Sequence, residues 1–344
     1  MESSHLKTDV VIVGGGTTGL TLAKFLSEEQ VDFILLEADT SFFEKSCGEG
    51  ITPEIGGCKF FDLYESQVGI ERITDSMRIR LDYGDVEFDL SNIMVDKRAV
   101  EQELARQAIS RGGDVRTGER VRQVTRVRDQ IRIEPQGIEA KVVVGADGYG
   151  SIVRRFMGVE KPRHFGVAAA GYWAEESPGN ACIVEFKKSV AQYGYAWLFP
   201  RKNDWNIGIG SVRAPLFRQQ LARFQQRYPG ATGWRTAVVP LDLPVQSYGK
   251  DAILVGDAAS QVVSVFADGI LPGMICAREA AKVLIGLSHR NFANPDLSAY
   301  EKGWKSMMGD TFRNGYFVHR LMMGLYFSDH LLYGFMKLMK RVYR

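Results

Sequence analysis

Apolar runs and a helical apolar pattern follow one another at the start of the chain. Val10 to Val13 is a short apolar run, the apolar residues from Leu20 to Leu26 have helical spacing, and Phe33 to Leu36 is a second run. An apolar run of this length, bounded by glycine or by charge, is typical of a strand that is buried on both faces of a parallel sheet. The pattern therefore predicts a strand, a helix and a second strand, which begin an α/β fold.

The same interpretation extends this sheet to later parts of the chain. Buried strands are predicted at Val142 to Val144 and at Ile253 to Val255, with one helix over residues 97–111 and another from about Gly269. Between them, the arginines from Arg106 to Arg132 alternate with valine and isoleucine. This alternation predicts an antiparallel meander with one solvated face, and not a polyanion-binding surface.

Alternation of apolar and polar residues marks two other segments, residues 76–95 and 165–245. A period of two predicts strands with one buried face, as in an antiparallel sheet. The clearest stretch, residues 193–210, reads YGYAWLFPRKNDWNIGIG. It predicts an aromatic strand, a turn and a glycine-containing return strand.

The turn at Arg201–Asp204 sets the pairing of this hairpin. Tyr195 then lies opposite Gly210, and Trp197 lies opposite Gly208. Because glycine has no side chain, we expect both glycines to leave room beside the two rings and so to shape an aromatic face. A purely structural aromatic stripe in a core is the alternative interpretation.

The turn after the first strand has the spacing of a dinucleotide-binding motif. Gly14, Gly16 and Gly19 fill a GxGxxG frame, Thr18 lies inside it, and Glu37 follows the second strand. Glycines at these positions permit a tight turn and a close approach of the backbone to a pyrophosphate at the helix N-terminus. An acid about 20 residues further on is placed to bind ribose hydroxyls. The segment therefore predicts a bound dinucleotide.

The amino-acid composition argues against several classes of protein. The chain has 43 Lys and Arg against 41 Asp and Glu, a net charge of +2, so no nucleic-acid surface is predicted. Four scattered cysteines argue against a disulfide scaffold or a metal site and fit a reducing compartment. The start is polar, and no apolar stretch reaches the roughly 18 residues of a spanning helix. We expect a cytoplasmic protein without a bound metal.

The glycine turn, the strand that ends in Asp147-Gly148 and the later Gly256-Asp257 segment together resemble the FAD domain of the para-hydroxybenzoate hydroxylase-like flavoproteins. The resemblance implies FAD as cofactor, with Asp257 on the ribityl chain and the helix that begins at Gly269 and Ile270 pointing at the flavin. It also implies cofactor contacts for Arg98 and Val121.

This flavoprotein class implies a Rossmann-like FAD-binding domain with an inserted antiparallel-sheet substrate domain, followed by C-terminal helices. The expected boundaries are residues 1–75, 96–164 and 246–290 for the FAD-binding domain, 76–95 and 165–245 for the substrate domain, and 291–344 for the helical region.

Two motifs narrow the resemblance. The hairpin reads Y-x-W-x-F-P and, seven residues later, G-x-G, which is similar to a signature of the geranylgeranyl reductase family. Cys47-Gly48-Glu49 matches a Cys-Gly-Glu motif of that family. The resemblance implies an FAD-dependent reductase that saturates carbon–carbon double bonds of a geranylgeranyl-type isoprenoid lipid chain. The electron donor, NAD(P)H or reduced ferredoxin, stays open.

The same resemblance assigns roles in the site. It places Cys47 beside the flavin as the candidate proton donor, and it makes Gly48 and Gly50 cofactor contacts. Tyr195 and Trp197 are candidates to stabilise developing positive charge through their ring faces. For Cys47, a packing residue in a tight bend is the alternative.

The chain departs from the family pattern before the last predicted helix, where Phe266 and Asp268 replace small residues. This departure leaves the identity and length of the substrate open. The alternative function on the same fold is a flavin monooxygenase that hydroxylates an aromatic or polyketide-like substrate, although that chemistry needs no Cys-Gly-Glu motif.

The C-terminal segment from His319 is rich in methionine, leucine and aromatic residues and carries a basic cluster of Lys337, Lys340, Arg341 and Arg344. A basic amphipathic helix of this kind is able to lie on an anionic membrane surface. Two other roles are open, namely capping of a substrate tunnel and packing on the FAD-binding domain.

Overall fold

The computed structural model describes residues 6–175, 179–293 and 295–342, so the first five residues and Arg344 of the predicted basic cluster lie outside it. In chain order, its strands are β1 (Lys7–Val13), β2 (Phe33–Leu36), β3 (Gly50–Ile51), β4 (Glu54–Ile55), β5 (Cys58–Lys59), β6 (Ile70–Thr74), β7 (Ser76–Leu81), β8 (Gly84–Phe88), β9 (Asn92–Val95), β10 (Asp114–Arg116), β11 (Gln123–Val127), β12 (Gln130–Glu134), β13 (Ile138–Gly145), β14 (Phe165–Trp173), β15 (Ala181–Phe186), β16 (Gly194–Pro200), β17 (Trp205–Ser211), β18 (Thr232–Pro240) and β19 (Ala252–Leu254).

The helices are α1 (Thr17–Glu28), α2 (Phe60–Tyr64), α3 (Lys97–Ser110), α4 (Ile152–Phe156), α5 (Ala214–Arg227), α6 (Ile270–Ser288), α7 (Ser298–Leu325) and α8 (Asp329–Val342), with a short 3₁₀ helix at Gly256–Ala259. Within the described residues, no helix combines the length and the apolar character that crossing a bilayer requires.

The first sheet has the strand order β10-β2-β1-β13-β12-β11, and β19 pairs with the end of β13. Strands β10, β2, β1, β13 and β19 run parallel, whereas β11 and β12 form the predicted antiparallel meander with β13. Val10 and Ile12 join one apolar core, while Val11 and Val13 join another on the opposite face. Burial of both faces explains why β1 is a continuous apolar run.

The second sheet has the order β18-β14-β17-β16-β15-β7-β8. Its strands pair antiparallel, apart from β7 and β15, which pair in parallel. The predicted hairpin register is confirmed, since Tyr195 lies opposite Gly210 and Trp197 opposite Gly208. This sheet therefore joins strands from the two segments of alternating pattern, whereas β9, at the end of the first segment, belongs to a three-stranded sheet with β3 and β6.

The absence of a side chain at Gly208 allows the Trp197 ring to pack against the backbone there. A Cβ on Gly208 would lie 2.1 Å from Trp197 Cζ2 and 2.5 Å from the Ala169 carbonyl oxygen. At Gly210 the nearest atom to such a Cβ is 3.7 Å away. The ring thus lies directly over the Gly208 backbone, and this position excludes any side chain.

The C-terminal helices attach to different parts of the fold. Helix α7 buries Trp304, Met308 and Phe312 in the core of the first sheet. Helix α8 packs Leu332 and Met336 into the core of the second sheet instead. Of the roles left open for this segment, packing on the FAD-binding domain does not apply to α8, because its apolar face packs with side chains of the β7–β8 hairpin.

Candidate active site

A cavity of about 850 Å³ is lined by both sheets. Its wall is built from the glycine turn, the loop 41–50, the aromatic strand β16, the loop 263–269 and helix α7. Motifs that lie far apart in the sequence therefore surround one space.

The glycine turn leads from β1 into α1. Gly14 has a φ of +108°, and a Cβ there would lie 2.4 Å from the Ala146 carbonyl oxygen. A Cβ on Gly19 would lie 2.1 Å from the Gly14 carbonyl oxygen, so both positions need glycine. Gly16 is the N-cap of α1 and supplies no side-chain cap, while Thr18 lines the cavity. Uncapped N–H groups at a helix N-terminus are suited to bind phosphate.

Two carboxylates lie next to this turn. Glu37 follows β2 and accepts hydrogen bonds from the Gly15 N–H at 2.5 Å and the Asp39 N–H at 2.9 Å. Asp147 follows β13 and accepts the Ile152 N–H at 2.6 Å, whereas its buried Oδ1 has no partner in the described chain. Burial raises the pKa of Asp147. A free acceptor beside the glycine turn is suited to a ligand hydroxyl.

The segment after β19 brings the second predicted acid to the cavity. Asp257 pairs with Lys45 from the loop 41–50. Its Oδ1 lies 3.4 Å from the position of a Cβ on Gly269, the N-cap of α6. Ile270, the first residue of α6, lines the cavity, and the N-cap residue Gly269 makes no side-chain cap hydrogen bond. The positive end of the α6 dipole therefore lies beside Asp257.

Val121 and Arg98, both predicted cofactor contacts, have different surroundings. Val121 is buried in the cavity wall. Arg98 pairs with Glu44 at 3.6 Å, and the residues of α3 that line the cavity are Lys97 and Glu101, which pair with each other. Helix α3 thus reaches the cavity through neighbours of Arg98 on the helix.

The Cys-Gly-Glu loop lies against the aromatic strand. A Cβ on Gly48 would lie 3.2 Å from the Phe199 ring and 3.5 Å from Trp197 Nε1. A Cβ on Gly50 would lie 3.4 Å from the same Phe199 ring. The loop backbone therefore packs directly on the hairpin, and the two family motifs meet in the wall.

Cys47 is partly buried and lines the cavity. Its Sγ accepts the Glu49 N–H at 3.3 Å. Burial raises the pKa of the thiol, and the nearby Lys97 ammonium opposes the shift. The sulfur is consequently a protonated thiol at neutral pH.

A buried hydrogen-bond network, which the sequence patterns do not reveal, ties this loop to the hairpin. Asn206 Nδ2 donates to the Cys47 carbonyl at 3.0 Å and to the Glu49 carboxylate at 2.9 Å, and its Oδ1 accepts the Trp197 Nε1–H at 2.8 Å. Glu49 is fully buried, which raises its pKa, and Arg201 at 3.7 Å opposes the shift. In the sequence, the only visible sign of this network is a single asparagine, Asn206, in the return strand.

The loop before α6 adds an acid to the wall. Asp268 Oδ2 accepts the Thr52 hydroxyl at 2.6 Å, while its buried Oδ1 finds no partner in the described chain. Burial raises the pKa of Asp268 to about 6, against hydrogen bonds from Thr52 and from the Ile270 N–H. Tyr195 joins the same loop, because its hydroxyl donates to the Phe266 carbonyl at 2.8 Å. The two departures from the family pattern are thus cavity residues.

Several known proteins are similar to this chain in sequence. The model of the FAD binding domain family matches residues 7–177. The chain is 25% identical to digeranylgeranylglycerophospholipid reductase 1 of Methanopyrus kandleri, over 89% of this chain and 88% of that protein. It is 26% identical to geranylgeranyl diphosphate reductase of Rhodobacter capsulatus, over 94% and 85%. The chain is an FAD-dependent oxidoreductase related to the geranylgeranyl reductases.

The fold of this oxidoreductase is also found in solved structures. A geranylgeranyl bacteriochlorophyll reductase-like protein of Thermoplasma acidophilum superposes with a TM-score of 0.78 at 19% identity. The match covers 95% of the oxidoreductase and 90% of that chain. The arrangement of two sheets and C-terminal helices is therefore a known architecture.

Proposed function

We propose that this oxidoreductase saturates carbon–carbon double bonds in the isoprenoid chain of a geranylgeranyl-type lipid. The observation that carries the proposal is the shared cavity, in which the Cys-Gly-Glu loop packs on the aromatic hairpin within reach of the glycine turn. The relatives named as geranylgeranyl diphosphate and digeranylgeranylglycerophospholipid reductases support an isoprenoid chain as substrate.

The residues around the glycine turn fit FAD. The uncapped N-terminus of α1 suits the pyrophosphate, and Glu37 together with the free Oδ1 of Asp147 suits hydroxyl groups of the cofactor. Asp257 and the N-terminus of α6 suit the flavin end, where the helix dipole stabilises negative charge. In this proposal these groups hold the cofactor and orient it toward the aromatic wall.

An isolated alkene has no carbonyl that polarises it, so positive charge develops on carbon during reduction. Bound FAD, once reduced by NAD(P)H or by reduced ferredoxin, supplies the hydride. Tyr195 and Trp197 line the cavity, and in this proposal their rings stabilise the developing cation. Asp268, when ionised, adds a fixed negative charge in the same wall.

Cys47 is the proposed proton donor. Its S–H bond breaks as a C–H bond forms at the alkene carbon that does not receive the hydride, and the thiolate then recovers a proton from solvent. The raised pKa keeps the thiol protonated before the reaction. The ammonium of Lys97, which is close enough to lower that pKa, stabilises the thiolate that follows.

Anaerobic turnover separates this function from the monooxygenase alternative. With dithionite as reductant and an isoprenoid alkene in the absence of oxygen, we expect a saturated product, identified by mass spectrometry from its gain of hydrogen. A monooxygenase takes an oxygen atom from O₂ and forms no product under these conditions. Product that appears only after air is admitted, and that carries added oxygen, would overturn the proposal.

We further propose that the C-terminal helices contact a membrane surface. Helix α7 exposes Phe317 and Leu321, helix α8 exposes Leu331 and Leu338, and Phe327 between the helices is 75% exposed. Basic residues occupy the last turn of α8, and apolar residues beside basic ones favour an anionic lipid surface. We expect the protein to co-sediment with vesicles that contain anionic lipid, and Phe327→Ser to weaken this binding. Recovery of all the protein in the supernatant would contradict the proposal.

A further inference from the structure

The charges around the cavity are uneven. Among the described residues that line it, nine acidic side chains stand against three basic ones. Each basic side chain already has an acidic partner: Lys45 pairs with Asp257, Lys97 with Glu101, and Arg120 with Asp39 at 3.1 Å. All three also lie on the side of the cavity that carries the cofactor motifs. The described wall therefore has no unpaired cationic side chain for a second anionic ligand in addition to FAD.

The wall that the second sheet and α7 contribute is apolar. Its described lining residues are mainly aromatic, aliphatic and glycine residues and include neither lysine nor arginine. One imidazole, His319 of α7, interrupts this surface. It is 8% exposed, and its Nδ1 has no hydrogen-bond partner within the described chain.

His319 is uncharged at neutral pH. Burial lowers its pKa to about 4, and the nearby Arg320 and His164 side chains add to this shift. A neutral imidazole donates one hydrogen bond and accepts another, but it does not neutralise a phosphate. It therefore suits an uncharged oxygen, such as that of a hydroxyl, an ether or a carbonyl group.

A diphosphate drawn into this cavity would face carboxylates without a cation to pair with, which disfavours its desolvation. A prenyl chain meets the opposite situation, since burying it against an apolar wall is favourable. We propose that the part of the substrate held in the cavity is an uncharged prenyl lipid, whose head-group oxygen hydrogen-bonds to His319. This inference rests on the proposed function and names its substrate class. Any phosphate group of the substrate stays outside the cavity.

Geranylgeraniol and geranylgeranyl diphosphate provide a matched test, because they differ only in the head group. Each is titrated into the oxidised, FAD-loaded protein, and binding is followed by the visible absorption of the flavin without turnover. We expect geranylgeraniol to bind at least about tenfold more tightly than the diphosphate. His319→Leu should weaken geranylgeraniol roughly three- to tenfold, the effect of one neutral hydrogen bond, and should leave the corresponding hydrocarbon unaffected.

His330→Leu is the matched control, since His330 lies on α8 against the Tyr83 ring and is not part of the cavity wall. It should change neither affinity appreciably. The inference is overturned if the protein binds the diphosphate as tightly as the alcohol or more tightly. It is also overturned if His319→Leu weakens the binding of the alcohol and of the hydrocarbon equally. If the diphosphate binds more tightly and is reduced anaerobically, the proposed function stands and the uncharged substrate class falls. If neither ligand binds or is reduced, both fall.

Discussion

The flavin-loaded Cys47→Ser variant is expected to reduce an isoprenoid alkene roughly 10²–10⁴-fold more slowly than the parent protein, the loss typical of a positioned acid–base group. Serine is similar to cysteine in size, so the fold and the bound flavin should be retained, but a hydroxyl gives up its proton much less readily than a thiol. Reduction of the flavin by dithionite should be unchanged, because that half-reaction does not use the thiol. The measurement is anaerobic single-turnover reoxidation of reduced flavin by the alkene.

Cys58→Ser is the matched control. Cys58 is 3% exposed, its Sγ lies 3.4 Å from Arg278 Nη1, and it is not part of the cavity wall. This variant should reoxidise at nearly the parent rate. If Cys47→Ser does so too, the cysteine is only a small residue in a tight bend and the proposed proton donor is wrong.

Asp268→Asn is expected to slow the same step by roughly 10²–10³-fold, as measured for the loss of one electrostatic stabiliser in other active sites. Because burial raises the pKa of Asp268 to about 6, the parent rate should rise with pH as the carboxyl group ionises around that value. The variant should lack this rise. Tyr195, Thr52 and the Ile270 N–H are the groups that interact with this carboxyl group. The prediction is checked by measuring single-turnover rates between about pH 5 and 8. The midpoint of the rise in rate should lie at about pH 6.

Ionisation of Asp268 should raise the rate of the reaction but lower the stability of the fold. The pKa of Asp268 is raised from its ordinary 3.8 to about 6 in the folded chain, so the neutral form stabilises the fold below about pH 4 and this contribution is lost as the pH rises through 6. Asp268→Asn should therefore raise the Tm at about pH 8 and change it little below about pH 4. A parent rate that falls above pH 6 would make Asp268 the acid and contradict the roles proposed for Asp268 and Cys47.

Local patterns were sufficient for the parts of the fold that neighbouring residues determine. The pairing of Tyr195 with Gly210 and of Trp197 with Gly208 follows from the turn at Arg201–Asp204, because turn length fixes the register of a hairpin. The glycine turn is similar, since Gly14 and Gly19 are required by contacts within the first strand–helix unit and the strand beside it.

The rest of the site depends on segments that approach each other only in the folded chain. Asn206 bonds to Glu49 across a sequence separation of 157 residues, and no periodicity in either segment signals that contact. The same reason applies to Lys97, whose backbone N–H donates to Glu49 at 3.0 Å. The pKa of Asp268 was equally inaccessible, because it reflects burial by residues of other elements.

The parallel pairing of β7 with β15 has a consequence for dissection of the protein. Arg80 and Glu185 on these strands are separated by 105 residues, and the chain between them supplies β10, β11, β12 and β13 of the first sheet. No continuous fragment of the described chain therefore contains the whole second sheet without these four strands. Loss of the first sheet would leave the stretch between β8 and β14 as an open loop, whose closure costs chain entropy. We therefore expect the second sheet to lose stability when the first sheet unfolds.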